Sequence, residues 1–74
     1  MTNNEMMLAA LQLVKEEIGN VIESLQFKKE LGRLGGDYPE EVIDAALASF
    51  KAQLPVTEQY IDYFGMLVAK ESGL

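Results

Sequence analysis

The feature that most constrains this chain is an apolar seam near its N-terminus. Between residues 7 and 25, apolar side chains recur at intervals that alternate between four and three residues. An α-helix has about 3.6 residues per turn, so this spacing returns every member of the seam to one side of a helix. The seam residues are Met7, Leu11, Val14, Ile18, Val21 and Leu25. They predict a long, amphipathic N-terminal helix whose seam another helix must cover.

The start and the middle of this first helix carry their own signals. Thr2 and Glu5 stand in capping-box spacing, which predicts a helix from about residue 3 to about residue 33. Gly19 and Asn20 are poor helix formers, so the helix is either continuous, with a bend at Gly19, or broken, with Asn20 capping a second helix. We favour the continuous helix, because the apolar spacing keeps its phase through Gly19.

The length of such a helix has a consequence. At about 1.5 Å per residue it would be roughly 45 Å long, whereas a compact globule of this chain length is about 30 Å across. We therefore expect the helix either to break at Gly19 and fold back, or to pair its seam with another chain.

The second half of the chain predicts a C-terminal helical hairpin. Asp37 stands in capping-box spacing with Glu40 and predicts the start of one helix, and Pro55 predicts its end, because the residue before a proline disfavours the α conformation. Thr57 can cap a third helix that ends near Gly73. The predicted fold is all-α: a single helical domain over residues 1–74, in which the long N-terminal helix and the hairpin form a three- to four-helix bundle completed by oligomerisation.

Composition excludes several kinds of chemistry. The chain has no cysteine and no histidine, which rules out disulfides, cysteine-ligated zinc, iron–sulfur clusters and histidine catalysis. There is also no nucleotide-binding, nucleophile-elbow or calcium-loop motif. We therefore predict no enzyme activity, no cofactor and no metal site.

The charge of the chain bears on its partners. The formal net charge is −6, from 12 acids and 6 bases. Binding to DNA, RNA or anionic membranes needs clustered Lys and Arg, so we predict no direct nucleic acid or membrane contact and a basic partner protein. No apolar run approaches the roughly 18 residues of a membrane span, and the N-terminus lacks the basic region of a secretory signal. The predicted location is the cytoplasm.

The acidic residues of the second half are the candidate partner-binding site. Residues 34–62 contain six acids against Lys51 alone. Tyr63 joins this set because tyrosine is enriched in protein interfaces. The predicted contact residues are Asp37, Glu40, Glu41, Asp44, Glu58, Asp62 and Tyr63. A structural alternative is open, since the helix dipole stabilises acids in the first turn of a helix.

The N-terminal seam also has two interpretations. It is either the core of an intramolecular bundle or the interface of a homo-oligomer, because a chain of 74 residues gains much by sharing a core. The predicted oligomer contacts are Met7, Leu11, Val14, Ile18, Val21 and Leu25.

These observations predict a small, acidic, non-enzymatic regulator or inhibitor that binds another protein and acts as a homo-oligomer. Its size is common among phage and mobile-element accessory proteins. One alternative is a DNA-mimicking antagonist whose carboxylates imitate phosphates, and another is a structural subunit of a larger assembly. A small-molecule site between subunits would use Lys28, Lys29 and Arg33 as its anion contacts.

One segment resembles a known family. The sequence PEEVIDAALASF, residues 39–50, followed by a second short helix, resembles the C-terminal hairpin of small acidic bacterial regulators, including the enterobacterial biofilm-regulator family. It is also similar to the last helix pair of unrelated three-helix domains. The resemblance covers less than half of the chain and implies no role for any single residue.

Overall fold

Two long antiparallel α-helices make up the protein. The computed structural model describes residues 1–33 and 39–73, in which α1 spans Asn3–Arg33 and α2 spans Glu40–Glu71. Two ion pairs fix the antiparallel alignment: Lys15 Nζ lies 3.4 Å from Glu58 Oε1, and Lys29 Nζ lies 2.6 Å from Asp44 Oδ1. The hairpin measures 57 × 18 × 14 Å along its principal axes. The all-α prediction is confirmed.

Helix α1 begins as the sequence predicts. The backbone N–H of Glu5 donates to Thr2 Oγ1, and the N–H of Thr2 donates to Glu5 Oε1, both at 3.2 Å. This is the reciprocal pair of a capping box. The helix runs through Gly19 without interruption, so the continuous alternative is confirmed.

The expectation left out a way to cover a helix of this length within one chain: α1 does not break at Gly19, and its pairing with another chain stays a prediction. The expectation rested on the assumption that the rest of the chain is compact, with dimensions of about 30 Å. Instead α2, with 32 residues, matches the 31 residues of α1 and covers the half of the seam that is formed by Leu11, Ile18 and Leu25. The hydroxyl of Thr2 and the amide of Asn4 both donate to the Glu71 carboxylate, at 2.7 and 2.6 Å, and tie the far ends together.

The predicted third helix is also wrong, because Pro55 lies inside α2 instead of ending it. Proline removes the N–H that would bond to the carbonyl of Lys51, but Pro55 is on the exposed side of the helix, where water can satisfy that carbonyl. Thr57 is not an N-cap. It is buried, and its hydroxyl donates to the Gln53 carbonyl at 2.8 Å within the same helix.

The C-terminal hairpin is therefore absent, and with it the structural basis of the resemblance to hairpin-containing regulators. Helix α2 has no side-chain cap at its start, where Pro39 precedes the first helical residue. The cap predicted at Asp37 lies outside the described residues. A bundle completed by oligomerisation stays a prediction.

The core is a single strip between the two helices. Ile18 and Ile22 of α1 meet Ile43 and Leu47 of α2, and these are the buried apolar side chains of the described residues. Leu25, Phe50 and Leu54 pack against them and are only partly buried. Because two helices can cover only one side of each other, much apolar surface is left exposed.

Candidate functional site

The handedness of the helices sorts the remaining residues onto two broad faces. Consecutive residues of an α-helix are about 100° apart, so the residue before each inward-facing position points to one flank and the residue after it points to the other. The two helices run in opposite directions, which puts the "before" flanks of both helices on the same broad face of the hairpin. The "after" flanks form the opposite face.

The inward-facing positions follow the alternating spacing on both helices and are the most buried of the chain. Lys15 is an exception, since its side chain is about half exposed where it pairs with Glu58. The inward positions are Leu8, Leu11, Lys15, Ile18, Ile22, Leu25 and Lys29 on α1, and Ile43, Leu47, Phe50, Leu54, Thr57, Ile61, Phe64 and Val68 on α2.

The face formed by the "before" residues is apolar over the half that contains the N-terminus of α1. Val14 is 44% exposed there, Val56 51%, Tyr60 53% and Tyr63 50%. The Tyr63 ring packs edge-to-face on Phe64, with ring centroids 5.2 Å apart. We call this the apolar face; it comprises Met7, Ala10, Val14, Glu17, Val21, Ser24 and Lys28 of α1, and Val42, Ala46, Ser49, Gln53, Val56, Tyr60, Tyr63, Leu67 and Lys70 of α2.

The face formed by the "after" residues carries most of the carboxylates. Its one lysine is Lys51, although Lys15 and Lys29 reach its edge from inward positions in their ion pairs. We call it the acidic face; its carboxylates are those of Glu5, Glu16, Glu23, Glu30, Glu41, Asp44, Glu58 and Asp62. The hairpin is therefore apolar on one broad side and acidic on the other.

The structure divides the predicted partner-binding set. Glu41, Asp44, Glu58 and Asp62 lie on the acidic face, whereas Tyr63 lies on the apolar face. Two of the acids face local cations, since Asp44 pairs with Lys29 and Glu58 with Lys15. Glu40 Oε1 is 3.9 Å from the same Lys29 Nζ, and Asp37 is outside the described residues. Lys29 is consequently engaged in ion pairs within the chain.

The structure also divides the predicted oligomer seam. Leu11, Ile18 and Leu25 point toward α2, and Ile18 is only 6% exposed. Met7, Val14 and Val21 lie on the apolar face, where Met7 is 46% exposed. The oligomer interface stays a prediction; of these last three, Met7 and Val14 are exposed and Val21 is partly buried.

Sequence reasoning missed two groups of residues. Tyr60 was not among the predicted contact residues, and it is 53% exposed on the apolar face. The carboxylates of Glu16, Glu23 and Glu30 on α1 join those of α2 on the acidic face. The sequence did contain a signal for Tyr60. A second alternation of four and three residues runs one residue before the inward positions of α2, and its large apolar members are Val42, Val56, Tyr60, Tyr63 and Leu67.

Three large apolar side chains of α1 lie off both faces. Met6, Leu13 and Phe27 follow the outer edge of α1 and are 55%, 58% and 65% exposed. They are two or more turns apart and form a sparse row. Met66 lies alone on the outer edge of α2.

The described surface consists of broad faces without a cavity. Over residues 1–33 and 39–73 no pocket is present, and no three carboxylates are grouped to hold a metal ion. Neither helix has, in its described part, a stretch long and apolar enough to cross a membrane. Comparison with models of protein families, with curated proteins and with solved structures found no match to this chain.

Proposed function

We propose that this protein is a non-enzymatic regulator or inhibitor that binds a basic partner protein through its acidic face and acts as a homo-oligomer. The observation that supports this proposal is the segregation of charge. Eight carboxylates share one broad face of a rod 57 Å long, and Lys51 is the one lysine at the described "after" positions there.

The acidic face suits recognition by long-range electrostatics. Carboxylates of one sign on a single surface produce a potential that attracts a basic partner and raises the association rate, and salt weakens this attraction. At physiological ionic strength the field extends about 8 Å from the surface. Much of the affinity is then expected to depend on salt concentration.

The test compares two neighbouring residues that lie on opposite faces. Glu16→Lys and Glu17→Lys make the same change in net charge one position apart on α1. Partners captured from an extract of the source cells by the immobilised native chain are identified, purified and titrated against both variants. We expect Glu16→Lys to weaken binding about tenfold, in a salt-dependent way, and Glu17→Lys to have a smaller effect when both variants are compared at concentrations at which light scattering gives them the same mass. Equal effects of the two variants, or binding insensitive to salt, would contradict the proposal.

A DNA-mimicking antagonist is the second candidate, favoured by the extended shape of the acidic face. Its carboxylates follow two parallel helices along a narrow rod, as phosphates follow two strands along a duplex. This candidate predicts that the captured partner binds nucleic acid and that the native chain displaces a labelled duplex from it. A partner that holds DNA and this chain at the same time would exclude mimicry and leave the first proposal standing.

A further inference from the structure

We infer that the apolar face is the interface between two copies of this chain. The two hairpins lie side by side in the same direction, so that α1 of each faces α2 of the other and a four-helix bundle results. This inference deepens the homo-oligomer of the proposed function by assigning its interface. It does not require that the acidic face bind anything.

The surface area of the chain is the first argument. The isolated hairpin exposes 5424 Å², whereas a compact monomer of 8.2 kDa exposes roughly 4500 Å². The excess of about 900 Å² is close to the roughly 800 Å² that each partner loses in a stable interface. Closure of the apolar face by a second copy would remove an area of this size.

The distribution of charge is the second argument, and it favours a second copy over an unrelated partner. A chain with a net charge of −6 repels itself, so two copies can approach closely only where acids are excluded. Among the described residues, Glu17 supplies the only carboxylate of the apolar face, and Lys28 and Lys70 accompany it. This one face therefore has no excess of negative charge.

The position of the apolar residues sets the arrangement of the two copies. The ion pairs place Lys15 level with Glu58, so Val14 lies level with Tyr60 and Ala10 with Tyr63. These residues all belong to the half of the hairpin that contains the N-terminus of α1. A two-fold rotation about the long axis puts the same halves of both copies together and buries them against each other.

That rotation also gives complementary sizes across the interface. The small side chain of Ala10 meets Tyr63 of the second copy, and Val14 meets Tyr60 of the second copy. Glu17 meets Val56 of the second copy, so no carboxylate faces another. Tyrosine provides a large contact area with little loss of side-chain freedom, which suits it to the centre of an interface.

A consequence of this assembly concerns binding. The acidic faces of the two copies point outward on opposite sides of the bundle. On the basis of the proposed function, the dimer would present two equivalent sites for a basic partner.

The first test uses two neighbouring positions of α2. Tyr60→Asp places a charge on the apolar face, and Gln59→Asp places the same charge on the exposed outer edge of the helix. Light scattering during size-exclusion chromatography should give a dimer for the native chain and for Gln59→Asp. For Tyr60→Asp we expect dimerisation weakened by about thirtyfold or more, with helical circular dichroism retained. A native chain that is monomeric at all concentrations, or equal masses for the two variants, would overturn the inference.

The second test examines the arrangement of the two copies by disulfide cross-linking. The native chain has no cysteine, so Ala10→Cys and Tyr63→Cys each introduce a single thiol. A disulfide requires Cα atoms within about 7 Å of each other, which the proposed arrangement allows between Cys at position 10 of one copy and Cys at position 63 of the other. After the two variants are unfolded together, refolded and oxidised, we expect the mixed disulfide dimer to predominate and each variant alone to cross-link poorly. Cross-linking of the unmixed Ala10→Cys variant, or an absence of mixed dimer, would overturn the arrangement.

Discussion

The two broad faces of the hairpin differ in what they tolerate. The acidic face carries Gly19, Pro55 and Gly65, which are poor helix formers, together with its carboxylates. The apolar face carries none of these, and its large apolar side chains are valine, methionine, leucine and tyrosine. Proline frees a backbone carbonyl, which water can bond on this exposed side, and the glycines lower helix propensity without freeing any hydrogen-bonding group; a face that packs against another chain would need a regular backbone. The difference indicates that the apolar face is the one under geometric constraint.

The largest expected effect separates two members of the original seam. Ile18 is 6% exposed against α2, whereas Val14, one turn away, is 44% exposed on the apolar face. Ile18→Asp buries an unpaired charge, and we expect it to cost more than about 4 kcal/mol and to unfold the hairpin. Val14→Asp should keep the helical circular dichroism and lower the solution mass instead. Unfolding by both variants would show that the seam is one continuous core and would break the comparison.

Pro55→Ala tests whether the acidic face tolerates a proline inside a continuous helix at a cost in stability. Restoring the N–H lets the carbonyl of Lys51 complete its helical hydrogen bond, and we expect stabilisation by about 2 kcal/mol, after allowance for the greater freedom of the unfolded chain. Urea unfolding at one protein concentration measures the change. If Pro55 instead stood in a loop between two helices, its removal would destabilise the protein slightly. The oligomeric mass should not change, because Pro55 lies away from the apolar face.

Gly19→Ala tests on α1 whether a poor helix former on the acidic face can be replaced with a gain in stability. A Cβ at Gly19 would meet no atom within 4 Å, so the substitution should gain the helix propensity of alanine without a clash. We expect stabilisation by about 1 kcal/mol, seen as a higher urea midpoint with an unchanged slope. Gly65, which also has free space around its Cα, provides a second position at which the same gain is expected. A loss of stability at both positions would indicate that the helices do not continue through these glycines.

The smallest expected effect concerns Thr57. Its hydroxyl is buried and bonds only to the Gln53 carbonyl of its own helix, a carbonyl that the helix also uses. We expect Thr57→Val to change the free energy of unfolding by less than about 0.5 kcal/mol. Replacing an N-cap threonine by an apolar residue would instead lower the free energy of unfolding by about 1 kcal/mol. A loss of that size in urea unfolding would support the predicted third helix that starts at Thr57.

The N-terminal helix was predictable because its signals agree with one another. The capping box at Thr2 and Glu5 marks its start, and the apolar spacing passes through Gly19 in phase, so two adjacent poor helix formers, Gly19 and Asn20, could not outweigh them. The all-α class followed from the same spacing in the second half of the chain.

Helix α2 was mispredicted because Pro55 was given more weight than the regular spacing of the inward positions on either side of it. The inward positions Phe50, Leu54, Thr57 and Ile61 keep the alternating spacing across the proline, and Thr57 hid this continuity because it is polar. The argument from unbroken apolar spacing, which correctly predicted a continuous α1 at Gly19, would also have predicted a continuous α2 at Pro55.

The two faces could not be derived from either helix alone. Which flank of α1 shares a side with which flank of α2 depends on their antiparallel alignment, and that alignment depends on α2 being one helix. For this reason Tyr60 and the carboxylates of Glu16 and Glu23 were left out of the predicted contact residues. Once the topology is known, helix handedness assigns all of them.

The central claim is that two hairpins pair along their full length through the apolar face. Small-angle X-ray scattering of the native chain measures mass and maximum dimension together and tests this claim most directly. We predict a particle of twice the 8.2 kDa chain mass whose length stays near the 57 Å of one hairpin. A particle of one chain mass, or a dimer much longer than a single hairpin, would contradict the account.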